Sequence, residues 1–236
     1  VAYAHSRQSQ HMATPSVSAW ESLEQTVSYL KGNASLAISV ELHGDYDCDI
    51  ENILGEDGYN DWDAKLWNCY TDSDLAGNTE IQNKRRSQNG AIATHGGAPI
   101  MWSSKVTSVA FAHPKIGEAH PDTSSAAAEI YAASNATHDF MYLSYVIEEM
   151  GMDFPTPIML GIDNTAAIAF ANNSCFKSNL KHIDCRQEWV LMLRDKAIIK
   201  PFYVKTTENL ADIFTKILPV RIFQYLRDKI MVKHHK

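Results

Sequence analysis

Four carboxylates stand out in this sequence for the company they keep. Asp72 closes the run Leu66-Trp67-Asn68-Cys69-Tyr70-Thr71, and Asp163 closes Pro157-Ile158-Met159-Leu160-Gly161-Ile162. Both runs are strand-like and stop at an acid. Glu129 falls in the first turns of a long helical pattern, and Asp212 in the short segment Leu210-Ala211-Asp212-Ile213-Phe214-Thr215-Lys216. Each has an ordinary explanation when taken alone. Strand ends are often acidic, the helix dipole favours an acid such as Glu129 near a helix start, and Asp163 could cap the helix that follows it. Taken together they point elsewhere. Four carboxylates gathered by folding would repel one another and raise each other's pKa. Such a set makes sense when it holds hard divalent cations through oxygen, and two ions about 4 Å apart form a clamp for phosphodiester hydrolysis.

The patterning supplies the elements that would gather them. Ser16 or Ser18 caps a helix whose apolar positions are Trp20, Leu23, Val27 and Leu30, with Gly32 as its left-handed stop. Leu36, Ile38, Val40 and Leu42 alternate as in a half-buried strand. Residues 43–63 read as an acidic surface insertion. Asp45, Asp47, Asp49 and Glu51 alternate there, but the spacing lacks the glycine and further ligands of a calcium loop. Three strands follow, at 66–72, 90–95 and 98–104, with Lys84 to Gln88 in a turn before the second. Gly96-Gly97 joins the second and third as a hairpin. A further apolar run covers 106–112. Ser124 or Ser125 caps a long helix that ends at Gly151. Then come a strand to Asp163, helices at 165–172 and 181–197, and a strand at 198–204. The loop Thr206-Thr207-Glu208-Asn209 caps a helix at 210–216, and an amphipathic helix carries Ile222, Phe223, Leu226 and Ile230.

Composition bounds the possibilities. The chain has 236 residues, 45% of them hydrophobic, enough for one domain of good size with an extra element. No apolar run reaches the eighteen or so residues needed to span a bilayer. The N-terminus lacks a secretory pattern, and a chain starting at Val1 is expected to be a piece of a longer one. Cys48, Cys69, Cys175 and Cys185 form no CxxC pair and read as reduced thiols. The net charge is −7, unevenly spread. Through Leu66 three basic residues face eleven acidic ones, a balance of −8; from Trp67 onward 18 basic face 17 acidic, a balance of +1. With the acidic site neutralised by metal, Lys84, Arg85, Arg86, Lys105, Lys177, Lys181 and Arg186 are left to meet phosphates.

At this point the sequence resembles a known family. Tyr70-Thr71-Asp72-Ser73-Asp74-Leu75-Ala76-Gly77 looks like the opening motif of the ribonuclease H domain of Ty1/copia-type retrotransposon polyproteins. Gly96-Gly97-Ala98-Pro99-Ile100-Met101-Trp102-Ser103-Ser104-Lys105 resembles that family's third strand, and Asp163-Asn164-Thr165-Ala166-Ala167-Ile168 its Asp-Asn helix start. Lys181-His182-Ile183-Asp184-Cys185-Arg186 and Glu208-Asn209-Leu210-Ala211-Asp212-Ile213-Phe214-Thr215-Lys216 are the most distinctive segments. Pro15, Trp20 and Tyr29-Leu30-Lys31-Gly32 resemble the connection to the polymerase. Only the acidic insertion falls outside the resemblance.

The resemblance implies an α/β chain with a ribonuclease H-like fold: a mixed five-stranded sheet flanked by helices, with an N-terminal helical connection segment. It divides the chain into a connection segment with the acidic insertion (1–64), a ribonuclease H-like domain (65–218) and a C-terminal helix and tail (219–236). The implied activity is metal-dependent endonucleolytic hydrolysis of the RNA strand of RNA–DNA hybrids during reverse transcription. Two Mg2+ ions, or Mn2+, would be held by Asp72, Glu129, Asp163 and Asp212. Asp72 would bridge them, with Asp212 on the nucleophile side and Glu129 and Asp163 on the leaving-group side. Ser73, Gly77 and Asn78 would meet 2′-hydroxyls in the minor groove. Asn164, Arg85, Arg86, Lys105, Lys181 and Arg186 would meet the nucleic acid elsewhere. The partners would be the hybrid and the reverse transcriptase polymerase domain of the same polyprotein, with no membrane. The location would be the cytoplasm, in a retrotransposon particle, or the nucleus.

Two departures from the family pattern matter. Where the family has Glu-Ala-Glu at the start of the long helix, this chain has Ala127-Ala128-Glu129, so the metal role goes to Glu129. If position 127 carried the ligand, the alternative would be a weakened module that binds template–primer or a partner without cleaving. The loop before Asp212 has Thr206-Thr207-Glu208 in place of the histidine of many cellular relatives, so product release would depend on Glu208 or on nothing equivalent.

Overall fold

The computed structural model describes residues 1–38, 67–75, 86–110, 125–154, 156–172 and 181–233. The helices are α1 (Ala2–Ser9), α2 (Val17–Gly32), α3 (Ser125–Glu149), α4 (Thr165–Asn172), α5 (Lys181–Asp195) and α6 (Val220–Ile230). The strands are β1 (Leu36–Ala37), β2 (Trp67–Asp74), β3 (Arg86–His95), β4 (Ala98–Ala110), β5 (Ile158–Ile162), β6 (Ile199–Tyr203) and β7 (Val232–Lys233). Two 3-10 turns, Thr206–Glu208 and Leu210–Phe214, lie between β6 and α6. The acidic insertion lies outside the described residues.

Strand β2 is the centre of a five-stranded sheet ordered β4-β3-β2-β5-β6. It runs antiparallel to β3 and parallel to β5, and β5 runs parallel to β6. The mixed sheet flanked by helices is the architecture the resemblance implied. Gly96 and Gly97 form the expected hairpin turn, both with positive φ (56° and 79°), as a two-residue turn of this kind requires.

Both faces of the sheet are covered. One carries Trp67, Cys69, Ala91 and Ala93 against α3 (Ala126, Ile130, Ala133, Phe140), with α4 and α5 completing the core. Small residues on strand and helix bring α3 close to the sheet. The other face carries Ile92 and Tyr70 against Leu210, Phe214 and Leu226, so the second 3-10 turn and α6 sit on it. Among the described residues no helix is long and apolar enough to cross a membrane.

Several elements differ from the sequence reading. Residues 86–88 were expected in a turn but belong to β3. Their polar side chains look solvent-facing, yet Gln88 Nε2 donates to Ser6 Oγ (3.1 Å) and Ser104 Oγ (2.9 Å). The third strand and the run after it are one strand, β4, which tolerates Lys105 because it is the sheet edge. Helix α1 was not expected; Ala2 packs into the apolar cluster beside Leu210 and Ile230. Ser16 caps α2 by accepting from Ala19 N–H (3.2 Å). Gly32 is not a left-handed stop; it ends the helix itself, and Asn33 follows as the cap with φ −123°. The strand after α2 is described over two residues, which pair with β7 near the C-terminus. The helix around Asp212 is a 3-10 turn.

Candidate metal centre

The register of the sheet brings two of the acids together. Thr71 on β2 pairs with Ile162, the last residue of β5, so Asp72, still within β2, and Asp163, just past β5, lie at the same level of neighbouring parallel strands. The expected strand end at Asp72 comes two residues later, because β3 pairs on through Asp74. Helix α3 starts over this end of the sheet, and Glu129 in its second turn reaches the end of β2, where Ser73 N–H donates to Glu129 Oε1 (3.2 Å). One carboxylate oxygen from each of Asp72, Glu129 and Asp163 lies within 4.8 Å of the other two. Asp72 and Glu129 are 2% and 4% exposed; Asp163 is half-buried. Glu129 Oε2 is buried with no hydrogen-bond partner among the described residues. Ala127, the other acid position of the family pattern, is buried on the same helix, and Glu129 is the residue that joins the cluster.

Asp212 arrives from the opposite face. Gly90 pairs with Asp72 across the β2–β3 ladder, and the second 3-10 turn lies directly on it. A Cβ at position 90 would fall 2.7 Å from Thr215 Cγ2, 2.8 Å from Ala211 O and 2.9 Å from Phe214 Cβ. Only glycine lets the turn approach this closely. Asn209, fully buried, fixes its start: Nδ2 donates to Thr71 O (2.9 Å), and Oδ1 accepts from Ala211 N–H (3.1 Å). Ser104 Oγ fixes its end by donating to Phe214 O (2.6 Å).

So held, the turn places three groups beside Asp72. The Thr215 hydroxyl donates to Asp72 Oδ2 in a short contact. The Lys216 ammonium lies 3.5 Å from Asp72 Oδ2 and 3.0 Å from Asp212 Oδ1. Asp212 is itself 2% exposed.

The charges answer to this crowding. Burial first, then the charges of Asp72 and Asp163, push the Glu129 carboxyl well above the usual range. Burial and then Asp72 raise Asp163, against a hydrogen bond from Thr206. Burial and Asp72 push Asp212 up to about 7, against the pull of Lys216. Burial alone would lower Lys216, but Asp72 and Asp212 outweigh it and hold the ammonium above its ordinary value. A carboxyl raised by the negative charge of its neighbours marks a place where a cation would be welcome.

No protein-family model matches the chain. Its sequence is 26% identical over 230 residues to a retrovirus-related Pol polyprotein from transposon TNT 1-94 of Nicotiana tabacum. It is 27% identical over 232 residues to one from transposon RE2 of Arabidopsis thaliana. Its homologues are retrovirus-related Pol polyproteins of plant transposons. The matches cover 98% of this chain but 15% and 14% of those polyproteins, so it corresponds to a small part of their length. Among solved structures it is similar to the N-terminal RNase H domain of a Mycobacterium tuberculosis protein, at 12% identity and a TM-score of 0.44, covering 68% of this chain and 94% of the other. It is also similar to LC11-RNase H1 in complex with an RNA/DNA hybrid, at 16% identity and a TM-score of 0.40, covering 61% and 88%.

The other residues singled out in the sequence are more scattered. Ser73 is buried, its hydroxyl donating to Asn89 Oδ1 (2.9 Å). Asn164, not Asp163, caps α4, accepting from Ala167 N–H (3.0 Å), and its amide reaches Ser125 Oγ (3.2 Å). Arg186 lies over the Tyr131 ring, 4.4 Å from its centroid, and donates to Asn135 Oδ1 (2.6 Å). Lys105 is largely exposed and 3.6 Å from Asp139. Arg86 is half-buried in β3. Gly77, Asn78, Arg85 and the Lys181 side chain lie outside the described residues. Glu208 turns away toward α6, where it accepts from Tyr225 Oη (2.9 and 2.8 Å) and meets Lys229. Sequence reasoning passed over Gly90, Thr215 and Lys216 as site residues; the Asp212-Ile213-Phe214-Thr215-Lys216 spacing is the one local signal that could have found the last.

Proposed function

We propose that this chain is a metal-dependent endonuclease that hydrolyses the RNA strand of RNA–DNA hybrids during retrotransposon reverse transcription. The observation that carries the reading is the meeting of Asp72, Glu129 and Asp163 from three separate elements around a buried Glu129 oxygen that has no hydrogen-bond partner among the described residues. A buried, unpartnered carboxylate oxygen is costly unless a cation takes it. The donor set is all oxygen and anionic, which suits Mg2+ or Mn2+. Asp72, Glu129, Asp163 and Asp212 would hold the ions, two in number on the family pattern. When bound, such ions lower the pKa of an attacking water and stabilise the oxyanion that leaves.

The chain's own residues do the rest. Thr215 and Lys216 hold Asp72 in one orientation, and Ser73 N–H holds Glu129. Asn209 and Gly90 keep the Asp212 turn against the sheet. The partners would be the hybrid and the polymerase domain of the same polyprotein. Ser73, Gly77, Asn78, Asn164, Arg85, Arg86, Lys105, Lys181 and Arg186 are the proposed contacts to nucleic acid. Residues 65–218 would form the nuclease proper, with 1–64 connecting it to the polymerase and 219–236 closing it. The particle in the cytoplasm, or the nucleus, would be its place of action.

The test is a substrate panel with Mg2+ or Mn2+: end-labelled RNA–DNA hybrid, duplex DNA and duplex RNA. Cuts confined to the RNA of the hybrid are expected. Cuts in duplex DNA would instead indicate a different nuclease on this architecture. Hybrid binding by a folded protein with no cuts in any substrate would favour the non-cleaving module.

A further inference from the structure

The two sides of Asp72 offer a cation very different surroundings. Toward Glu129 and Asp163 no basic side chain lies within ion-pair distance among the described residues, and Glu129 Oε2 has neither a hydrogen bond nor an ion pair there, whereas Asp212 Oδ1, also buried without a well-aligned hydrogen bond, has an ion pair. Toward Asp212 the protein brings its own cation. Lys216 Nζ lies 3.0 Å from Asp212 Oδ1 and 3.5 Å from Asp72 Oδ2. The same Asp72 oxygen also accepts the Thr215 hydroxyl. Asp72 Oδ2 therefore already has a hydroxyl donor and an ammonium charge beside it, both supplied by the protein.

Lys216 is not placed there by chance contact of a loose side chain. It follows the turn clamped at both ends by Asn209 and Ser104, and its N–H lies 3.4 Å from Asp212 O. We infer that the Lys216 ammonium is the resident cation on the Asp212 side of Asp72, so that the site takes one divalent ion, among Asp72, Glu129 and Asp163, instead of two. The inference rests on the metal-dependent reading above and alters its ion count. An ion entering the Asp212 side must either displace the ammonium or sit against its positive charge. Asp212 then serves as the anchor of Lys216, not as a metal ligand.

The test is Mn2+ binding to the full 236-residue chain, with free Mn2+ counted by electron paramagnetic resonance and no substrate present. Wild type is expected to bind one Mn2+ tightly. Lys216→Gln is expected to bind a second at least about tenfold more tightly than wild type does. Asp212→Asn should leave the wild-type count at one, and should remove the second ion when combined with Lys216→Gln. If Lys216→Gln does not fold, Asp212→Asn alone decides: an unchanged count supports the inference, and loss of one ion overturns it. Two equally tight ions in wild type, unchanged by Lys216→Gln, would also overturn it while leaving the functional reading intact. A wild type indistinguishable from Asp72→Asn and binding no Mn2+ would overturn both.

Discussion

Asp72 divides its cluster into two sides that meet negative charge in different ways. On one side, Glu129 and Asp163 converge with Asp72, and the donors the described residues offer them are uncharged: a backbone N–H to Glu129, and the Thr206 hydroxyl and its own backbone N–H to Asp163. On the other, Asp212 comes with a hydroxyl and an ammonium in the same short turn. Local sequence explains the contrast. Asp212, Thr215 and Lys216 lie within one turn of chain, so a single docking event delivers acid and counter-charge together. Glu129 and Asp163 come from a helix start and a strand end, each supplying only the acid. A single segment can thus bring an acid together with its own counter-charge, while the half with no basic side chain among the described residues is assembled from distant segments.

The largest effect should come from the open side. Glu129→Gln is expected to abolish tight Mn2+ binding and to lower hybrid cleavage by on the order of 10³-fold, about 4 kcal/mol in the barrier. Adding Ala127→Glu should not restore either; restored cleavage would move the ligand to position 127.

A substitution that never touches a carboxylate tests the other side. Gly90→Ala would force a Cβ into Thr215 and the Ala211 carbonyl, lifting the turn that carries Asp212. We expect a loss of about 1–3 kcal/mol in stability, read by calorimetry, together with weaker cleavage. An unchanged melting temperature would mean that the turn is not seated on the sheet as described.

The comparison also has a pH signature. Glu129, Asp163 and Asp212 have folded pKa values above their ordinary ones, so the metal-free folded chain holds protons that the unfolded chain releases. Their contribution to stability is therefore greatest below the ordinary carboxylate range and declines as pH rises from about 4 to about 7. Metal-free protein should melt lower at pH 8 than at pH 5.5. Asp212→Asn should flatten that dependence, and Mn2+ should oppose it. A variant with an undiminished slope would contradict the assignment of the proton to Asp212.

The smallest effect belongs to Glu208. Tied to Tyr225 and Lys229 on α6 and partly exposed, it is expected to contribute only about 0–1 kcal/mol. Glu208→Gln should leave multiple-turnover cleavage unchanged. Slowed turnover with a normal first cut would return product release to this residue.

Much of this was legible in the sequence where one chain segment carries its own pattern. The strands that carry Asp72 and lead to Asp163, the long helix with Glu129 near its start, and the Gly96-Gly97 hairpin all declare themselves through local period and turn chemistry, although the first strand runs on past Asp72 to Asp74. What stayed hidden depends on partners far along the chain. Gln88 looks like part of a turn because its amide is answered by Ser6 and Ser104, which are far along the chain. Gly90 reads as a strand start until the 3-10 turn is laid over it. Lys216 looks like a surface lysine until folding brings Asp72 beside it. Helix α1 has no apolar stripe of its own, and its place comes from contacts with β4 and the turn.

The most direct test of the central claim is cleavage of a labelled RNA–DNA hybrid by wild type and Asp72→Asn, each with Mg2+, with Mn2+ and with chelator. The metal-dependent reading predicts RNA cuts by wild type that need the metal and vanish in a folded Asp72→Asn. Cuts that survive either the chelator or the substitution would contradict it.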